Sequence, residues 1–158
     1  MIIIACDHAG LKYKLKLIEF LQKQGEAVKD MGAMVFDESD SYTHYAYLAC
    51  EEFSERVKEN NTLILICGSG VGMSICANRY KEIRAVNTES VKKARLARQH
   101  NNANCLCLGA RLISLTKAKR IIKAFMAEKF LGGKHEKRVN ELKTFGAITL
   151  KENIKKQK

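Results

Sequence analysis

The sequence has no proline in 158 residues. Turns must therefore be read from glycine, asparagine and hydrophobic period alone. No apolar run approaches the roughly 18 residues of a membrane span, so no membrane partner is expected. The N-terminus, Met1-Ile2-Ile3-Ile4-Ala5-Cys6-Asp7, lacks a basic leader and a cleavage site. It reads as a strand, and the expected location is cytoplasmic. None of the six cysteines forms a CxxC pair, which argues against a zinc site. A secreted disulfide framework would be expected in a shorter, loop-rich chain, so the cysteines read as reduced and mostly buried. There is no aromatic-rich strand and no recognised nucleic-acid motif, and no nucleic-acid partner is expected. Repeats, linkers and low-complexity segments are also absent.

The length fits one domain able to bury a core without disulfides or metals. The formal net charge of +11 is uneven. Residues 1–67 carry 7 basic and 11 acidic side chains, and residues 68–158 carry 21 and 6. Such an excess suits a small-anion site, a nucleic-acid surface or a solvated face.

Strands alternate with amphipathic helices. Residues 2–6, 27–31, 62–67, 83–86 and 105–108 read as strands; 11–24, 45–57, 71–79, 89–99, 116–129 and 135–142 read as helices. In the first helix Leu11, Leu15, Ile18 and Leu21 form an apolar stripe with lysines opposite, and Gly25 ends it. Residues 37–41 form an acidic loop. The alternation predicts an α/β fold: a Rossmann-like, three-layer αβα sandwich on a five-stranded parallel sheet. The domain is expected over residues 1–143, with a basic C-terminal tail over 144–158.

Four segments carry candidate chemistry. The apolar run Leu63-Ile64-Leu65-Ile66 stops at Cys67, and Gly68-Ser69-Gly70-Val71-Gly72 leads into a helix. This places a thiol at the carboxyl end of a buried strand, where open α/β sheets bind ligands. Glycines let bare backbone approach an anion, and a helix N-terminus favours the thiolate of a nearby cysteine. The loop is not G-x-G-x-x-G, because Met73 occupies the third glycine's place, and it lacks a Lys-Ser or Lys-Thr pair. A simple strand-to-helix turn is the structural alternative.

Asp7 and His8 follow the first strand and are expected on the same edge as Cys67; Asp7 also suits a helix N-cap. His100 and Asn101 lie in a run of amides before the fifth strand, and nearness to the Cys67 loop would favour a functional role for His100. Arg111, Lys134, His135 and Arg138 form a basic set. Lys134 and Arg138 share one helix face, which suits a phosphate or an exposed charged surface.

Taken together, these segments resemble the ribose-5-phosphate isomerase type B family, which also includes galactose-6-phosphate isomerase subunits. The matching pieces are Cys-Asp-His-Ala-Gly at 6–10, Ile-Cys-Gly-Ser-Gly-Val-Gly-Met-Ser at 66–74 and Ala-Asn-Arg at 77–79. Arg-Gln-His-Asn-Asn-Ala-Asn at 98–104, Leu-Gly-Ala-Arg at 108–111 and Gly-Gly-Lys-His-Glu-Lys-Arg-Val at 132–139 complete them. They occur in family order over nearly the whole chain.

The resemblance implies interconversion of an aldose phosphate and a ketose phosphate without metal or organic cofactor. By resemblance, Cys67 is the base that moves a proton between C1 and C2, and His100 helps open the sugar ring. Asp7 and His8 contact the sugar, Tyr42 selects substrate, and Asn101 contacts the ligand. Gly68, Ser69, Gly70, Val71 and Gly72 face the enediolate, while Arg111, Lys134 and Arg138 face the phosphate. Family members are homodimers with each site built from both subunits, and pairing into tetramers stays open. Ribose 5-phosphate is the expected substrate; allose or galactose 6-phosphate is the alternative, and a non-catalytic sugar-phosphate-binding protein is a further one. Three departures stand out: Lys134 where arginine is usual, Thr43 in place of proline after Tyr42, and Asn87-Thr88-Glu89 at the end of the fourth strand.

Overall fold

The computed structural model describes residues 1–56 and 61–142. The expected helix end at Val57, Lys143 and the expected tail over 144–158 lie outside the described residues. Among the described residues five strands form one sheet: β1 (Ile2–Cys6), β2 (Val28–Asp30), β3 (Thr62–Cys67), β4 (Ala85–Asn87) and β5 (Cys105–Gly109). Six α-helices accompany them: α1 (Leu11–Gln22), α2 (Tyr42–Glu55), α3 (Val71–Ala77), α4 (Val91–Asn101), α5 (Leu115–Ala127) and α6 (Lys134–Leu142). The sheet order is β2-β1-β3-β5-β4, and every pair is parallel. The expected αβα sandwich is the observed one.

β1, β3 and β5 are buried along their whole length, so their sequences are near-continuous apolar runs. Alternate residues still serve opposite faces. Ile4, Cys6, Ile64, Ile66, Leu106 and Leu108 pack with Leu17 and Leu21 of α1, Ala94 of α4, and Ile122 and Phe125 of α5. Ile3, Ala5, Leu63, Leu65, Cys67 and Cys107 pack with Ala46, Ala49 and Phe53 of α2 and Met73 and Ala77 of α3. The short edge strands β2 and β4 are only half-buried.

Some boundaries differ from the sequence reading. Without proline, the starts of α4 and α5 are set by Ser90 and Ser114, whose side chains accept the N–H of Lys93 and Lys117. α2 begins at Tyr42, earlier than residue 45, and β4 occupies Ala85–Asn87 in place of 83–86. A 3-10 turn, His8–Gly10, precedes α1. The stripe expected on α1 is also rotated. Lys14 and Leu17 are buried and Leu15 is half-exposed. Lys14 can enter the core because its ammonium donates to Asp30 Oδ1 at 2.8 Å and to the Ala33 carbonyl at 2.7 Å. A buried charge is tolerated when paired and hydrogen-bonded in this way.

Strand order reverses beside β1, which has β2 on one side and β3 on the other. The carboxyl ends of β1 and β3 therefore flank the crevice in which open parallel sheets hold ligands.

Candidate active site

At that crevice β3 ends in Cys67 and β1 leads into Asp7 and His8. The two are tied where they leave the sheet: Asp7 N–H donates to the Ile66 carbonyl at 3.3 Å. Asp7 caps the 3-10 turn, its Oδ1 accepting Gly10 N–H at 3.2 Å, as the N-cap reading anticipates. Burial, the largest influence, raises its carboxyl above the ordinary range. His8 is gripped twice by Asp40: its backbone N–H donates to Oδ2 at 2.8 Å, and Nδ1 lies 2.6 Å from Oδ1. A carboxylate on Nδ1 fixes the tautomer and leaves Nε2 free for a ligand.

Cys67 is 5% exposed and lies under the glycine loop. Gly70 N–H points at its sulfur at 3.1 Å. Gly70 is left-handed, with φ of 79°, which a side chain would resist. Arg111 covers the loop from β5: a Cβ on Gly68 would stand 3.5 Å from a guanidinium nitrogen of Arg111. Arg111 N–H also donates to the Gly68 carbonyl at 3.0 Å. Tyr42, at the start of α2, leans on Gly72, where a Cβ would stand 2.6 Å from its ring. One carboxyl edge thus gathers Asp7, His8, Tyr42, Cys67, Gly68, Ser69, Gly70, Val71, Gly72 and Arg111.

The remaining residues are elsewhere. α4 runs back across the sheet, and after Asn101 the chain turns through left-handed Asn102, with φ of 46°. Asn104 then meets the start of β3, its carbonyl accepting Leu63 N–H at 2.9 Å. His100 and Asn101 therefore lie at the amino edge. The chain leading into α6 is tied there too, Leu131 N–H donating to the Gln99 carbonyl at 3.0 Å. His100 and His135 stack with ring centroids 4.3 Å apart and planes 4° from parallel. Desolvation first, then His100, Lys134 and Arg138, lowers the pKa of His135. The six residues of β3 separate the two edges by about 17 Å, at roughly 3.3 Å per residue. Within one chain, the nearness of His100 to the Cys67 loop considered from sequence is not found.

Desolvation pushes the thiols of Cys6 and Cys50 up to about 12, and burial also raises those of Cys76 and Cys105. All six are free thiols, as expected. Asp7, His8 and Asp40 offer ligand atoms within 4.8 Å of one another, but the His8–Asp40 bonds already account for much of that closeness.

Residues 2–142 match the ribose/galactose isomerase family. The chain belongs to that family. Ribose-5-phosphate isomerase B of Escherichia coli is 37% identical over 141 residues, covering 89% of this chain and 93% of that protein. The structure of ribose-5-phosphate isomerase B from Mycoplasma genitalium with bound ribulose 5-phosphate superposes with a TM-score of 0.88 at 36% identity, covering 93% of this chain and 96% of the other. That of ribose 5-phosphate isomerase from Thermotoga maritima gives 0.84 at 41% identity, over 90% and 96% of the two chains.

Two residues at the candidate site escaped the sequence reading. Asp40 was part of an acidic loop with no visible partner, because His8 lies 32 positions away. Asn87 was noted only as a departure, yet its Nδ2 donates to the Ser69 carbonyl at 3.3 Å. The Thr43 hydroxyl bonds that of Ser41 at 2.6 Å, and Tyr42 rests on Gly72. No helix among the described residues is long and apolar enough to cross a membrane.

Proposed function

We propose that this isomerase interconverts ribose 5-phosphate and ribulose 5-phosphate, with Cys67 as the base. The carrying observation is the Cys67 sulfur at the sheet's switch point, facing the Gly70 amide at 3.1 Å, in a chain of this family. The substrate rests on its relatives, including one whose structure holds ribulose 5-phosphate.

The chemistry follows from the groups present. Cys67 thiolate takes the C2 proton of the open-chain aldose and returns it at C1, while the hydroxyl proton of O2 passes to O1 through the enediolate. Charge accumulates on the enediolate oxygen, which the amides of the 68–72 loop face. One such donor is worth roughly a hundredfold to a thousandfold in rate, and a placed base about a hundred to ten thousandfold. Asp7, and His8 through its free Nε2, hold the sugar, with Tyr42 beside the loop. His100 opens the ring, Asn101 contacts the ligand, and Arg111, Lys134 and Arg138 bind phosphate. Phosphate binding holds the reacting carbons in register. No metal or organic cofactor takes part in the proposed steps.

A homodimer with shared sites belongs to the same proposal. A single chain puts its two half-sites at opposite sheet edges, and a two-fold dimer brings the amino-edge set of one copy to the carboxyl edge of the other. An open groove of about 810 Å³ beside β4, lined by Asn78, Arg84, Val86, Asn101 and Val139 among others, offers surface for that contact. We also propose a cytoplasmic location, supported by free thiols throughout and by a charged substrate that does not cross bilayers unaided.

The test is exchange of the C2 proton of ribose 5-phosphate with deuterium, followed by NMR, in wild type and Cys67→Ala. Exchange and turnover in wild type, lost in the variant, are expected. Binding without exchange in wild type would make the protein a sensor, and turnover by Cys67→Ala would remove Cys67 as base. Faster turnover of allose or galactose 6-phosphate would move the substrate to hexose phosphates.

A further inference from the structure

The surroundings of Cys67 depend on one peptide unit, that between Ser69 and Gly70. Its N–H lies 3.1 Å from the Cys67 sulfur. Its carbonyl accepts from Asn87 Nδ2 at 3.3 Å. A trans peptide is a rigid plane with N–H and C=O on opposite sides, so a hold on one end aims the other. Two glycines leave room for the arrangement. A Cβ on Gly109 would stand 2.8 Å from the Ser69 oxygen, and one on Gly70 would stand 2.8 Å from Asn87 Oδ1. The sheet fixes the reach, since Asn87 pairs with Cys107 and Cys67 with Gly109. Half a turn of this peptide would set the Ser69 oxygen, in place of the Gly70 proton, against the sulfur.

We propose that Asn87 is a positioning residue: by holding the Ser69 carbonyl, it keeps the Gly70 N–H on Cys67. Its side chain reaches the sulfur only through that peptide. The functional consequence rests on Cys67 being the base; the positioning does not. Asn87 belongs to a segment whose sequence departs from the usual family pattern, so its role is a property of this chain's own residues.

Two variants separate donor chemistry from shape. Asn87→Asp keeps the outline but turns an acceptor toward the Ser69 oxygen. Asn87→Ala removes the contact without adding charge. Arg111, the cation packed on the same loop, is unchanged in both. The readout is the pH profile of iodoacetamide alkylation at Cys67, with tandem mass spectrometry distinguishing it from half-buried Cys76, alongside kcat and KM. The midpoint of alkylation is expected to move to higher pH in both variants. kcat should fall about tenfold, the factor one net hydrogen bond supplies, with KM within about twofold. A merely structural role at the end of β4 would lower thermal stability and leave the alkylation midpoint in place. Wild-type alkylation profiles in both variants overturn the proposal. A shifted profile with wild-type turnover keeps the positioning role and instead removes Cys67 as the base.

Discussion

Gly70→Ala is the sharpest single perturbation of the loop. Gly70 sits at φ of 79°, and a Cβ there costs about 1–2 kcal/mol in backbone strain. The added carbon would also stand 2.8 Å from Asn87 Oδ1, 2.9 Å from the Leu108 carbonyl carbon and 3.1 Å from Leu108 N. Leu108 cannot yield, because β5 is hydrogen-bonded between β3 and β4. The loop must lift, and the Gly70 N–H leaves the Cys67 sulfur. Total destabilisation is expected at about 2–4 kcal/mol, and kcat should fall at least about tenfold from the lost hydrogen bond to the sulfur. Gly25→Ala is the control. Its φ of 82° is equivalent, but a Cβ there meets nothing within 4 Å, and it ends α1 far from Cys67. It should lose about 1–2 kcal/mol and keep wild-type kcat. Urea denaturation and turnover of ribose 5-phosphate measure both. A Gly70→Ala enzyme with kcat within about twofold of wild type would refute the reasoning that loop geometry sets the rate.

Two further outcomes concern stability. Lys14 is fully buried while the side chain of Asp30 is 23% exposed, so removing either partner should not cost the same. Asp30→Ala strands a buried ammonium and should cost about 3–5 kcal/mol, whereas Lys14→Met leaves a part-solvated carboxylate and should cost about 1–3 kcal/mol; urea denaturation at pH 7 giving the opposite order would contradict the assignment. Alkaline stability gives the second. The thiols of Cys6 and Cys50 are raised from 9.0 to about 12 by burial, so between these values the folded chain holds protons that the unfolded chain has released. Their contribution is full below about pH 9 and is lost as pH rises toward about 12. Cys50→Ala should flatten that decline in denaturation curves, and an unchanged slope would count against it.

Much of the fold was legible because the central strands are short apolar runs punctuated by glycine or polar residues. Thr62–Cys67 has the bounds expected from its composition. Boundaries failed where tertiary contacts outweighed local pattern. Lys14 reads as a surface lysine until Asp30, 16 positions away, supplies its partner. α2 starts at Tyr42, and the packing of Tyr42 on Gly72 leaves no local trace in the sequence. The site was legible as motifs but not as geometry. Nothing in the run from Arg98 to Asn104 says that α4 brings His100 to the edge opposite Cys67; that follows only from the parallel crossover. Asp40 and Asn87 carry no local signal, since an acidic loop residue and a strand-end asparagine become informative only once His8 and Ser69 are placed beside them.

The most direct measurement mixes two variants, each expected to be inactive alone. Cys67→Ala lacks the proposed base but keeps the amino-edge set, and His100→Asn lacks the proposed ring-opening imidazole but keeps the glycine loop. In the proposed dimer, dissociation and reassociation at equal concentrations make half the dimers hybrids with one of two sites intact, so activity on ribose 5-phosphate should recover to about a quarter of wild type. Recovery near that value is the expected result. No recovery, with hybrid dimers demonstrated by native mass spectrometry, would contradict a site in which Cys67 of one chain works with His100 of the other.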